Sequence, residues 1–286
     1  MLSWRIGKVT VTRVVELELT TRYREDRPFI REATPAALRA TSWLYPHFVN
    51  EDGAMLVSIH ALLVEAPGLR LVVDTCVGND KPRSLVGGRA LSTEFLARLG
   101  EAGWTREGVD AVVCTHLHVD HVGWNTMRVE GRWVPTFPNA RYLIGRQEYE
   151  HWRGETGGEP EAILADSVQP IFEAGLAELV EMDHRISPEL RLAPTPGHTP
   201  GHVSVLIDSE GQRAMITGDI MHHPCQIAHP DWAPGFDSDR AAAETTRRRV
   251  LGEVADQPVL VIGTHFAAPT AGRVRRDGDA FRLEVS

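Results

Sequence analysis

The chain has 286 residues, with 30 Lys and Arg against 39 Asp and Glu, a formal net charge of −9. That balance argues against the clustered basic footprint a nucleic-acid surface needs, and no apolar run approaches the roughly 18 residues of a membrane span. Neither nucleic acid nor membrane is therefore expected as a partner, and the length predicts one domain over residues 1–286 with loop insertions.

The first nineteen residues alternate apolar and polar and lack the continuous apolar core of a signal peptide, so a cytoplasmic protein is expected. Residues 9–19 read as a strand. Residues 20–50 carry Pro28, Phe29, Trp43, Leu44, Tyr45 and Phe48; this is apolar for a loop and fits either an active-site lid or the interface arm of a homodimer. Residues 55–65 and 69–74 read as a hairpin turning through Ala66-Pro67-Gly68. A helix is expected over 92–102, with Ser92 as N-cap and Gly103 after its end. The run 109–115 has the unbroken apolar character of a buried strand. Further strands are expected at 141–145, 190–193, 203–208, 213–217 and 259–262, with helices at about 159–179 and over 239–254. Arg247, Arg248 and Arg249 in the last helix read as a solvated face. Strand-rich halves, each followed by helices, predict an α/β sandwich of two face-to-face sheets.

Several chemistries are absent. The only lysines, Lys8 and Lys81, satisfy neither the spacing of a P-loop nor that of S-x-x-K, and no G-x-S-x-G, H-E-x-x-H or G-x-G-x-x-G occurs. Cys76, Cys114 and Cys225 are widely separated and odd in number, which supports neither a disulfide framework nor a zinc ribbon and suggests buried small apolar side chains. Histidine chemistry remains.

Residues 115–123 read Thr-His-Leu-His-Val-Asp-His-Val-Gly. Three imidazoles and a carboxylate crowded after a buried strand carry a cost that a metal cation relieves. The spacing of His116 and His118 lets two rings converge on one ion, while Asp120 and His121 point toward a second. His198, Asp219 and His265 stand at predicted strand ends. Singly, each also reads as an ordinary turn or cap residue; His198 lies in a Pro- and Gly-rich turn that fixes its backbone, and Gly218 beside Asp219 would let the backbone approach a buried ion.

The series H-x-H-x-D-H, then G-H-T-x-G-H, then G-D, then a strand-terminal His resembles the metallo-β-lactamase superfamily. The resemblance implies a four-layer αββα sandwich of two mixed β-sheets flanked by helices, with the site at one rim. It further implies that His116, His118 and His198 hold one metal, Asp120, His121 and His265 a second, and that Asp219 bridges them. Nitrogen and oxygen donors without cysteine suit Zn2+, with Mn2+, Fe2+ and Co2+ as alternatives. Two such ions sharing a bridging hydroxide would hydrolyse an acyl or phosphoryl centre, with Asp120 orienting the nucleophile or shuttling its proton.

A bridging Asp is similar to glyoxalase II, acyl-homoserine lactonases and methyl parathion hydrolase, and is generally missing from the zinc β-lactamases. The segment from Gly218 to Phe266 resembles the methyl parathion hydrolase branch. The better-known homoserine lactonases carry Tyr where this chain has His222, which reads as a leaving-group donor or as an ordinary rim histidine. Phe48, Trp124 and Trp232 are candidate walls of a substrate pocket. The expected reaction is hydrolysis of a small ester or lactone. Alternatives are an organophosphate triester or a glyoxalase II-type thioester; β-lactam cleavage, an iron persulfide dioxygenase and a non-catalytic metal-binding protein rank below these.

Overall fold

Alternation along the strands assigns each side chain to one of two faces, and in the computed structural model, which describes residues 1–285, those faces build three apolar layers. One sheet has seven strands in the order Ser3–Ile6, Val9–Thr21, Met55–Ala66, Leu69–Val73, Ala111–Cys114, Arg141–Gly145, Ala177–Val180. The first four pair antiparallel; Leu69–Val73 and the strands beyond it run parallel. The second sheet orders Leu190–Pro194, Val203–Ser209, Gln212–Ile216, Val259–Ile262, Ala271–Asp277 and Ala280–Glu284.

Leu71, Val73, Ala111, Val113 and Leu143 face Leu192, Val205, Ile207, Ala214 and Ile216, forming the layer between the sheets. Their neighbours Val72, Val112, Cys114, Tyr142 and Ile144 point outward onto Phe95, Leu99, Ile163 and Ile171. On the far side, Met215, Val261 and Val274 pack with Val250, Leu251 and Val254 of the helix Arg240–Val254. The result is the expected four-layer αββα sandwich. Strands 212–216 and 259–262 are parallel, so the chain leaves both at one rim, where Asp219 and His265 follow.

The structure departs from the sequence reading at several elements. The helix expected from Ser92 spans Phe95–Glu101 with Glu94 as N-cap, because Thr93 is drawn into the preceding loop by Asn79 and Glu16. The helix expected to about 179 breaks into Gly158–Ile163, a wide π turn at Leu164–Val168 and Gln169–Glu173. Pro170 lacks the N–H that a regular ladder needs, and Gly175, at φ 69°, ends the run before the strand Ala177–Val180. The arginine triplet is not one solvated face. Arg248 and Arg249 pair with Glu244 and Glu253 outside, but Arg247 shares the helix face of Ala243, Val250, Leu251 and Val254 and is fully buried.

In residues 20–50, Thr34 caps the helix Pro35–Ala40, and Ile30, Leu38, Leu44 and Phe48 are consumed in the outer apolar layer. All three cysteines are buried. None of the described helices is long and apolar enough to cross a membrane.

One buried carboxylate fixes the loops beneath the rim. The pairing register shifts between Val15 and Leu17. Glu16 sits at this irregularity, two residues beyond the buried Val14, and is itself buried. Glu16 accepts from Val77 N (2.8 Å), Gly78 N (3.2 Å), Thr93 Oγ1 (3.1 Å) and Trp124 Nε1 (2.6 Å). Glu16→Ala strands these donors, each worth about 1–3 kcal/mol when buried unpaired; the expected loss is about 3 kcal/mol or more in urea unfolding, with Glu16→Gln losing less.

Candidate metal centre

The strand Ala111–Cys114 ends at Thr115, and the loop that follows carries three histidines into the rim. His116 Nε2 lies 3.0 Å from His118 Nδ1, which lies 2.8 Å from His198 Nε2. His121 Nε2 and His265 Nε2 are 3.2 Å apart, with Asp120 Oδ1 3.6 Å from the first and Oδ2 3.7 Å from the second. Between the groups lies Asp219. Its Oδ2 is within 3.1–3.7 Å of Nε2 of His116, His121, His198, His222 and His265. The structure thus brings together all seven residues singled out as ligands, and adds His222.

The outward ring atoms explain how the inward ones are aimed. His121 Nδ1 donates to Asp74 (2.9 Å), His198 Nδ1 to Asp237 (2.8 Å) and His265 Nδ1 to the Ser58 carbonyl (3.0 Å). Thr115 Oγ1 donates to Asp74 (2.9 Å) and so accepts from His116 Nδ1 (3.1 Å). In its neutral form each of these rings holds its proton outward and turns a lone pair inward. Lone pairs cannot hydrogen-bond one another, and a divalent cation is the partner that satisfies them together. The nitrogen–nitrogen spacings of 2.8–3.2 Å are slightly tighter, and the longest spacings to carboxylate oxygen, 3.6–3.7 Å, slightly wider, than the about 3.3 Å expected between ligands at 2.0–2.1 Å from a tetrahedral ion.

Charge points the same way. Burial, then neighbouring imidazoles, hold His116, His118 and His198 well below the ordinary histidine value, leaving them neutral. Burial opposes ionisation of Asp219, yet His121, His265 and His222 hold its carboxyl well below the usual range. Burial also opposes a charge on His121, but Asp219, Asp74 and Asp120 together raise it well above its ordinary value. The carboxylates call for positive charge at this point. Asp219 Oδ1 and both His222 nitrogens are buried without a hydrogen-bond partner, so the donor set fits a metal pair.

Several supporting residues escape a reading of motifs. Asp74, in the left-handed conformation at φ 59°, takes Thr115 N (2.8 Å) as well as His121. Glu148, buried on the helix Arg146–Trp152, accepts from Leu117 N, Gly201 N (both 3.0 Å) and Trp152 Nε1 (2.6 Å), joining the two histidine loops. Asp237 is backed by Arg247 at 3.6 Å, whose guanidinium also donates to the Pro230 and Ile220 carbonyls. His202 donates through Nδ1 to Thr195 and accepts the Asp219 N–H at Nε2 (2.7 Å); burial lowers its pKa to about 4, so it stays neutral. Gly218 makes room for this ring, since a Cβ there would lie 2.5 Å from His202 Nε2. The glycine therefore admits an imidazole where the sequence suggested an ion.

The aromatic candidates for a pocket wall pack elsewhere. Phe48 is buried against His223 and Phe266, Trp124 stacks on Phe95 and bonds Glu16, and Trp232 stacks on His229 at 4.0 Å. Their burial is that of core and loop anchors. Phe29 and Phe236 instead flank His222, at 5.8 and 5.1 Å between ring centroids, and Trp152 sits 5.3 Å from His118. Phe29 lies in the apolar 20–50 segment read as a lid or interface arm, and Phe236 in the segment that resembles the methyl parathion hydrolase branch; Trp152 had no local signal.

The family model described as the Metallo-beta-lactamase superfamily matches residues 55–265. An N-acyl homoserine lactonase of Bacillus sp. is 27% identical over 166 residues, 58% of this chain and 59% of that protein. A probable metallo-hydrolase of Bacillus subtilis (strain 168) is 28% identical over 160 residues, 54% of this chain and 63% of its own length. The chain thus spans about three-fifths of the length of these curated relatives. Among solved structures, the hydrolase AbOPH of the beta lactamase superfamily superposes with TM-score 0.81 at 22% identity, covering 100% of this chain and 97% of the other. AidC, a dizinc quorum-quenching lactonase in complex with a product, gives TM-score 0.78 at 20% identity, covering 99% and 97%.

If outward hydrogen bonds set the ligand geometry, Asp237→Ala keeps the fold by circular dichroism but weakens metal binding by about 10–100-fold. Titration against a chromophoric chelator measures this.

Proposed function

The chain belongs to the metallo-β-lactamase superfamily, and from that premise we propose a dinuclear metal-dependent hydrolase, zinc-loaded, that cleaves a small ester or lactone. The observation that carries this reading is the pair of inward-facing donor groups, His116/His118/His198 and Asp120/His121/His265, sharing the buried carboxylate of Asp219. Divalent ions held there would polarise a carbonyl and make water a strong nucleophile at neutral pH.

The chain's own groups supply the rest. Asp219 and the histidines fix the charge of the site, and the outward partners of the rings keep it from rearranging during reaction. Asp120, partly exposed at the rim with side-chain accessibility of 16%, orients the attacking water and carries its proton to the departing alkoxide as the acyl carbon–oxygen bond breaks. Phe29, Phe236 and Trp152 present apolar surface beside His222 and His118. Arg247, the cation behind His198, is committed to carbonyls and Asp237. A neutral substrate with an apolar portion fits this boundary better than an anionic one. The contact of Phe29 with His222 supports the lid reading for part of residues 20–50. Relatives named as N-acyl homoserine lactonases support a lactone among the substrates.

The test is metal content per chain after purification without added metal, followed on the same sample by lactones, aryl esters, a phosphotriester, a thioester and a cephalosporin, before and after chelation. Near two ions per chain with chelator-sensitive lactone or ester turnover is expected. One iron with oxygen uptake on a persulfide, or bound metal with no turnover, would overturn it. Asp120→Ala and His265→Ala should abolish turnover while leaving the circular dichroism spectrum unchanged; wild-type rates in either variant would contradict the assignment.

A further inference from the structure

We infer that His222 is itself a metal ligand, an additional protein donor on the ion held by His116, His118 and His198. This rests on the dinuclear reading and extends it.

Four observations converge on the ring. His222 is 2% exposed, and neither Nδ1 nor Nε2 has a hydrogen-bond partner. An imidazole in that state forfeits about 1–3 kcal/mol, so its burial calls for a partner. Its Nε2 lies 3.1 Å from Asp219 Oδ2 without the angle of a hydrogen bond, as two ligands of one ion stand to each other. Its ligand atom, with those of His198 and Asp219, forms a donor group within 4.8 Å.

The ring is also held in place. It is edge-on to His198 at 4.8 Å, parallel to His265 within 3° at 5.7 Å, and flanked by Phe29 and Phe236. The backbone beneath is pinned by Gln226 Oε1, which accepts from His222 N at 2.7 Å and His223 N at 3.3 Å. A side chain so fixed by its packing, with both polar atoms unpartnered and one aimed at the shared carboxylate, is arranged as a ligand. A leaving-group donor would instead need a proton on the nitrogen that faces Asp219, and the contact there lacks hydrogen-bond geometry.

The direct test uses the full chain loaded with Co2+, comparing wild type with His222→Leu, whose side chain suits the space between Phe29 and Phe236. Each ligating histidine whose other nitrogen carries a proton gives a solvent-exchangeable, hyperfine-shifted N–H resonance in the proton NMR spectrum. The expected result is the loss of one such resonance in the variant. Loss of a direct ligand should also weaken Co2+ binding by at least the about 10–100-fold that loss of an outer partner costs. An unchanged set of shifted resonances with unchanged affinity would overturn the inference while leaving the dinuclear reading intact. Wild-type protein that binds fewer than two ions would instead overturn that reading. Should the leucine variant fail to fold, His222→Gln, which keeps a polar head without an imidazole N–H, is read by the same resonance count.

Discussion

Asp219 is a carboxylate buried among five imidazole nitrogens, and the rim of the sandwich is organised around its charge. A carboxylate so enclosed is tolerated only where positive charge faces it. In the protein alone, Asp219 and the neighbouring carboxylates raise the pKa of His121 and His265 against the opposition of burial, a sign of that demand. The neutral rings of His116, His118 and His198 on the other side offer lone pairs that no proton satisfies together. A cation pair resolves both halves, because it supplies charge to the carboxylate and an acceptor of electron pairs to the rings.

The sandwich serves this arrangement through its loops. The candidate ligands come from four chain segments, 116–121, 198, 219–222 and 265, and each segment is tied to another by hydrogen bonds of the protein itself. Glu148 joins the first loop to the turn after His198. Ser238 N and Asp239 N bond the carbonyls of His198 and Gly197 (both 2.9 Å), fastening that turn to the start of the helix Arg240–Val254. Arg247 on that helix reaches Asp237 and the Ile220 carbonyl beside Asp219. Ser58 N donates to the His265 carbonyl (3.0 Å), and the Ser58 carbonyl accepts from the His265 ring (3.0 Å). Preorganisation of this kind lets the site keep its geometry during reaction.

The sequence disclosed those features that repeat locally. Alternation exposed most strands, and the apolar run 109–115 marked a strand buried on both faces, which spans Ala111–Cys114. The density of His116, His118, Asp120 and His121 marked a candidate metal loop, and the family resemblance extended the candidate set to His198, Asp219 and His265, which the fold brings together. What stayed hidden depends on distant partners. Glu16 looks like a solvent residue until its donors from distant loops gather around it, and Arg247 looks like its two neighbours until the helix packs. Asp74, Glu148 and Asp237 are ordinary carboxylates in isolation and become supports only when the rim assembles. Trp124 illustrates the opposite error, since proximity in sequence to the metal loop suggested a pocket wall and tertiary packing made it an anchor.

The most direct measurement is anomalous diffraction at the zinc edge from crystals of the protein purified without added metal. The account predicts two peaks, one bounded by His116, His118 and His198 and the other by Asp120, His121 and His265, with Asp219 bonded to both. A single peak, or ions bound away from Asp219, would contradict it.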